Sequence, residues 1–360
     1  AARAALAAAT PSPPTQVDPA TQAYRTKPPA EVGVLVVGPT GYIGKFVTRE
    51  LISRGYRVTA LAREKSGVKR KASADDTRRE FAGAEVVFGS PSDPATLAAA
   101  LSGRSIDVVV SCLASRTGGV KDSWDVDYRA TKAVLDAGRQ GGISHFVLLS
   151  AICVQRPLLE FQKAKLELEA ALAAAGDVSY SVVRPTAFFK SLAGQVELVK
   201  TGKPYVMFGN GDLAACKPIS ESDLASYMAD CVQDAALANR VLPIGGPGKA
   251  WTAREQGELL FKLAGKPEKF IRAPVALFDI IIGALDFIAR IFPGAVDAAE
   301  FGRIGKYYAT ESMLVWDPVA QAYDADATPS YGETTLEAFF EKALSDGGME
   351  GQDLGDAAIF

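Results

Sequence analysis

Only one histidine, His145, and four cysteines, none in C-x-x-C spacing, occur in 360 residues, so zinc clusters and multi-histidine metal centres lack ligands. Neither sign of charge is in excess: 39 Lys and Arg stand against 42 Asp and Glu, a net charge of −3. A nucleic-acid partner would call for a basic surplus that is missing here. No apolar run in the first 30 residues is long enough for a signal-peptide core or a membrane span. The greasy stretch from 274 to 292 is interrupted by Asp279, Asp286 and Arg290, which argues against a span there too. The chain is nevertheless 48% hydrophobic and far longer than one minimal core requires, so it reads as a soluble enzyme-sized fold whose chemistry comes from other residues or from a cofactor.

The two ends do not read as folded. Residues 1 to 30 are rich in Ala and Pro, with Arg3, Arg25 and Lys27 against a single acid, Asp18. That is the composition of a plastid transit remnant or of a generic disordered leader. Residues 346 to 360 mix four glycines with four acids and read as a solvated acidic tail.

Between them the chain opens with the β-branched run Gly33 to Val37, the turn Gly38-Pro39-Thr40-Gly41-Tyr42-Ile43-Gly44, and an amphipathic stretch to Arg54 that stops at Gly55. Strand, glycine turn and helix in that order predict a dinucleotide site. Gly38 makes the tight turn, Gly41 lets backbone N–H groups of the turn approach a pyrophosphate, and Gly44 lets the helix pack closely. The next strand, Tyr56 to Ala62, runs into Arg63-Glu64-Lys65-Ser66. An acid first at this strand end would accept from a ribose 2′-hydroxyl, whereas Arg63, with Lys65 and Ser66 nearby, suits a 2′-phosphate. The expected cofactor is NADPH.

Further strands at Glu85 to Gly89, Ile106 to Cys112, His145 to Ser150 and Ser179 to Val183, separated by helix-period segments, predict an α/β fold: a Rossmann-type doubly wound parallel sheet over residues 31 to 185. A smaller, mainly helical substrate lobe with elements returning to the core is expected over 186 to 345. The strand ends then place Ser90 near the adenine, Cys112, Leu113 and Ala114 along the cofactor, Ser150 near the nicotinamide, and Arg184, Pro185 and Thr186 beyond it. His145, at a strand start, is expected to be structural.

In short-chain dehydrogenases the helix after the fifth strand carries a Tyr four residues before a Lys. This chain has Phe161 and Lys165 there. A phenyl ring donates no proton, so ordinary carbonyl reduction loses its acid, while Lys165 can still hold the nicotinamide ribose. A helical pair with Glu169 is the plainer alternative for that lysine.

Through the glycine turn, the L-A-R-E after the second strand, Lys165 without its Tyr, and V-V-R-P-T-A-F-F at 182 to 189, residues 32 to 345 resemble the atypical short-chain dehydrogenase/reductases of the NmrA-like and isoflavone-reductase-like kind. More narrowly, D-V-D-Y-R-A-T-K, L-L-S-A-I-C-V-Q-R-P-L-L-E-F-Q-K-A-K-L-E-L-E and V-M-F-G-N-G resemble the plant reductases of the 8-vinyl group in chlorophyll synthesis. That resemblance implies a plastid, NADPH-dependent oxidoreductase whose substrate is a magnesium tetrapyrrole such as divinyl chlorophyllide a. It fits the absent phenol, because a vinyl group conjugated to the macrocycle accepts hydride without forming an oxyanion. Lys165 is then the expected catalytic residue, and Phe161, Phe188, Phe189, Tyr205 and Phe208 are candidates to stack on the ring. Lys190, Lys203, Arg303 and Lys306 are candidates for a propionate, and the 274 to 292 helix for a ring wall, a lid, core packing or contact with a plastid membrane. A non-catalytic NADPH sensor, a phenylpropanoid reductase and a plastid RNA-binding protein stand as rivals, the last disfavoured by the acidic balance.

Overall fold

The computed structural model describes residues 16–65 and 72–345. Runs rich in valine and leucine form Gly33–Val37 (β1), Arg57–Ala62 (β2), Glu85–Phe88 (β3), Val108–Ser111 (β4), His145–Leu149 (β5) and Ser179–Pro185 (β6). The chain then leaves for two short strands, Tyr205–Phe208 (β7) and Ala215–Cys216 (β8), and returns with Arg240–Ile244 (β9). One seven-stranded sheet results, in the order β3-β2-β1-β4-β5-β6-β9, and every pairing in it is parallel. Parallel strands need crossovers, and helices supply them: Tyr42–Ser53 (α1), Ala74–Glu80 (α2), Pro94–Leu101 (α3), Val120–Asp122 (α4), Thr131–Gln140 (α5) and Glu160–Ala173 (α6). Between α4 and α5 the chain widens into a π-helical segment, Ser123–Ala130.

Alternate residues of each central strand face opposite layers. Val34, Val36, Val110, Val147 and Val183 share a core with Val47 and Leu51 of α1. Leu35, Val37, Val109, Phe146 and Leu148 pack instead with Val134 and Leu135 of α5 and Leu168 and Leu172 of α6. With both faces covered, the central strands read as unbroken apolar runs.

After β6 the lobe comprises Ala193–Lys200 (α7), Ala253–Leu263 (α9), Phe270–Ala273 (β11) and Leu336–Leu344 (α12) around Phe189, Tyr205, Phe261, Phe339 and Phe340. β11 pairs with β7, and β8 pairs with Trp251–Thr252 (β10). Two elements in the expected lobe range belong to the main body. The helix Glu221–Gln233 (α8) covers the α1 face of the sheet through Leu224, Met228 and Val232, and Arg54 Nη1 pairs with its Asp230 Oδ1 at 2.6 Å. β9 is the seventh strand. A helical pair, Ala276–Ala289 (α10) and Val296–Thr310 (α11), lies between β11 and α12.

The expectation that residues 1 to 30 do not fold is corrected for residues 16 to 30. Three short 3₁₀ turns, Pro19–Thr21, Ala23–Thr26 and Pro29–Glu31, strap the amino-terminal edge of the sheet. Tyr24 is buried in the α8-side core, Gln233 Nε2 donates to the carbonyls of Tyr24, Arg25 and Lys27, and Asn239 Nδ2 to that of Val17. Composition missed this because the order comes from partners far along the chain. Residues 1 to 15 and the tail from 346 lie outside the described residues. His145 is structural: its Nδ1 sits 2.7 Å from Ser179 Oγ and 3.1 Å from Arg25 Nη2, and burial, then Arg25, push its imidazole well below its usual pKa.

Candidate active site

Strand order reverses at β1, which has β2 on one side and β4 on the other, and in such sheets ligands lie in the crevice beyond the carboxyl ends at that reversal. β1 enters it through Gly38, whose φ is 80°, a conformation costly for any residue with a Cβ. A Cβ there would meet the Cys112 carbonyl oxygen at 3.0 Å, and one on Gly44 would come within 2.0 Å of the Gly38 carbonyl oxygen. The turn therefore closes against β4 and α1 only with glycine at both places. Gly41 is the N-cap of α1 and provides no side-chain acceptor for the first amides of the helix, so the amides at Tyr42, Ile43 and Gly44 and the positive helix end can receive an anion. Thr40 lies half-buried in the same turn. These features fit a dinucleotide pyrophosphate.

Arg63 and Lys65 are exposed just past β2, and Ser66 lies outside the described residues. Ser90 is exposed after β3, its hydroxyl accepting from Ser92 N at 3.2 Å. Past β4, Cys112 is buried with its N–H bonded to the Val37 carbonyl at 2.9 Å, and burial pushes its thiol up to about 12. It lines the crevice with backbone, ahead of half-buried Leu113 and exposed Ala114.

At the end of β5 the buried Ser150 donates its hydroxyl to Glu169 Oε1 at 2.5 Å. The same carboxylate accepts from Arg184 Nε at 3.1 Å and from Arg184 Nη2. The Lys165 to Glu169 pairing weighed from helical spacing is thus not formed: Glu169 turns to Ser150 and Arg184, and Lys165 Nζ lies 2.9 Å from Asp127 Oδ1, both side chains buried. Pro185 is buried in β6 opposite Ile244 of β9, and Thr186 Oγ1 donates to the Lys217 carbonyl at 2.5 Å, so the Thr186 side chain joins the end of β6 to the chain before α8.

The ring-stacking set is narrower than the sequence suggested. Phe189 is 1% exposed and stacks on Phe339 at 4.8 Å, and Tyr205 is buried edge-on to Phe270 at 6.0 Å; both are lobe core. Phe161 is half-buried against Ile152, Cys153 and Tyr307, Phe188 lies 6.4 Å from the Tyr42 ring, and Phe208 packs on Phe278 of α10 at 4.7 Å. Of the propionate candidates, Arg303 and Lys306 pair with Asp286 and Asp279 of α10. Lys190 Nζ rests 4.1 Å from the centre of the Tyr42 ring, and the Tyr42 hydroxyl donates to Glu221 at the start of α8. Sequence reasoning missed Asp127 as the partner of Lys165, Glu169 as that of Ser150 and Arg184, and Glu221 as that of Tyr42. Asp127 sits inside the quoted D-V-D-Y-R-A-T-K, but nothing local marks it as inward-facing.

Residues 38–235 match the NAD(P)H-binding family. The chain is 58% identical, over 96% of its length and 83% of the relative's, to the chloroplastic divinyl chlorophyllide a 8-vinyl-reductase of Cucumis sativus. It is 57% identical, over 99% and 89%, to the enzyme of the same name from Zea mays. Among solved structures, an NADPH-dependent quinone oxidoreductase from Escherichia coli complexed with NADPH superposes with a TM-score of 0.63 at 18% identity, covering 87% of this chain and 100% of that one; this likeness is one of fold.

Proposed function

As this chain belongs to the divinyl chlorophyllide a 8-vinyl-reductase family and carries an NAD(P)H-binding domain, we infer that it is a chloroplast oxidoreductase that reduces the 8-vinyl group of divinyl chlorophyllide a to ethyl during chlorophyll synthesis. The observation in the fold that carries this reading is the pairing of an intact dinucleotide turn with a cofactor helix that has Lys165 but Phe161 in place of the usual acid. The sensor and phenylpropanoid alternatives are not favoured by relatives at 57 and 58% identity.

We further propose NADPH as the cofactor, which when bound supplies the hydride. The Gly38 to Gly44 turn, with Thr40, Tyr42 and Ile43, holds the pyrophosphate, and Arg63 with Lys65 pairs with the 2′-phosphate. Ser90, Cys112, Leu113 and Ala114 border the nucleotide, and Lys165 holds the nicotinamide ribose. Ser150 has committed its proton to Glu169, so toward the crevice it offers lone pairs and acts as an acceptor. Arg184, Pro185 and Thr186 close the far side. Phe161, Phe188 and Phe208 remain for the flat macrocycle, held beside the cofactor with water excluded. Hydride addition at the terminal vinyl carbon leaves charge that the macrocycle delocalises, and the inner carbon is then protonated.

Among the described residues no helix is long and apolar enough to cross a membrane. α10 nevertheless has no buried residue, which supports a peripheral contact between this helix and a plastid membrane.

With NADPH deuterated at C4 and divinyl chlorophyllide a, NMR of the product should place deuterium on the terminal carbon of the new ethyl group. Deuterium on the inner carbon would refute this order of addition. NADPH binding with no turnover of the divinyl substrate would favour a sensor instead.

A further inference from the structure

Asp127 is a charged residue where burial makes charge expensive. It is 2% exposed and lies within the π-helical segment Ser123–Ala130, where Thr131 Oγ1 donates back to the Val126 carbonyl at 3.0 Å. Runs of this kind are rare and gather at functional sites. Its Oδ1 is 2.9 Å from Lys165 Nζ, and its Oδ2 accepts from the backbone of Ser115 at 3.3 Å. One carboxylate thus ties the loop after β4 to the lysine of α6, the two elements assigned to either side of the cofactor. A buried ion pair adds little stability over an apolar pair of the same volume, so stability alone gives no reason for an acid here.

We propose that Asp127 is a positioning residue for the reaction: it fixes the Lys165 ammonium, and the loop from Cys112 to Ser115 with it, in the geometry that receives the nicotinamide ribose. The proposal rests on the reading of Lys165 given above. Asp125, two residues earlier, pairs instead with Lys121 and Arg129 on the exposed face, so the two acids of the D-V-D motif have separate tasks.

The test compares Asp127→Asn, Lys165→Met and the double variant, each measured for NADPH affinity by fluorescence titration, for kcat, and for melting temperature. Asp127→Asn should weaken NADPH binding by about ten- to a hundredfold, the worth of a hydrogen bond to a charged group, and the double variant should bind no worse than Lys165→Met alone. The double variant removes both charges, so it stays informative if Asp127→Asn, which strands a buried lysine, does not fold. Wild-type affinity in folded Asp127→Asn, or a further tenfold loss in the double variant, would overturn the proposal. Wild-type affinity and turnover in Lys165→Met would overturn the reading of Lys165 itself, a distinguishable result.

Discussion

Arg63 stands exposed immediately beyond β2, and a single guanidinium there separates two cofactors that differ by one phosphate. Arg63→Ala should weaken NADPH binding by about 1.5 to 3 kcal/mol and leave NADH nearly unchanged; titration of both cofactors checks this, and equal losses would remove Arg63 from that role. The cysteines give a second residue-scale prediction. Burial pushes the thiols of Cys112, Cys216 and Cys231 up to about 12 and raises that of Cys153. The native protein should therefore resist a thiol reagent at pH 8, and all four cysteines should react after unfolding. The same shifts set a pH limit. Above pH 9 the unfolded thiols ionise while the folded ones do not, so stability falls as pH climbs from 9 toward 12, which denaturant titrations across that window would record. Gly38, Gly41 and Gly44 were legible in the sequence because their requirement is steric and local. Asp127 was not: the helical rule of four points Lys165 at Glu169, and only the three-dimensional path of a π-helical segment brings another acid to it. Phe188 and Phe189 show the same limit, since one of two adjacent rings enters the lobe core and no period distinguishes them.

At the scale of elements, α10 is the outlier. Its Asp279 and Asp286 turn to Lys306 and Arg303 of α11, which neutralises the acids and leaves Leu277, Ile280, Ile281, Phe287 and Ile288 at helical spacing in the open, with Ile280 71% and Phe287 64% exposed. Ile291 and Phe292 extend this surface, and Arg272 and Arg290 flank it. Helices that lie in a lipid interface have this pattern. Ile280→Glu with Phe287→Glu should abolish sedimentation with vesicles of plastid lipid composition while leaving NADPH affinity unchanged; undiminished sedimentation would exclude α10 as the contact. The charges that interrupt this stretch, Asp279 and Asp286 among them, were legible in the sequence, but not which neighbour they meet. The first six parallel strands were legible within a residue or two, the central ones because both of their faces are buried. The expected range 186 to 345 allowed for elements returning to the core, but an amphipathic pattern does not say which of two cores α8 covers.

For the whole molecule, the strap from residue 16 to 31 sits at the amino-terminal edge of the sheet, opposite the crevice. It should matter to stability and not to catalysis. Tyr24→Ala should cost about 3 kcal/mol, in the range for emptying a buried aromatic site, lowering the melting temperature while NADPH affinity of the folded protein holds. A loss of affinity at permissive temperature would show that the strap communicates with the site.

Strand order has a consequence for how the chain is made. β6 waits for β9, and the chain between them includes β7, β8 and α8. Synthesis or translocation that delivers the amino terminus first therefore leaves one side of β6 with unsatisfied backbone groups until residue 244 has emerged. During that interval the half-built protein is the species a chaperone would have to recognise, and the sheet is finished by a piece of chain that arrives before α9, β11 and α12 of the lobe have been made.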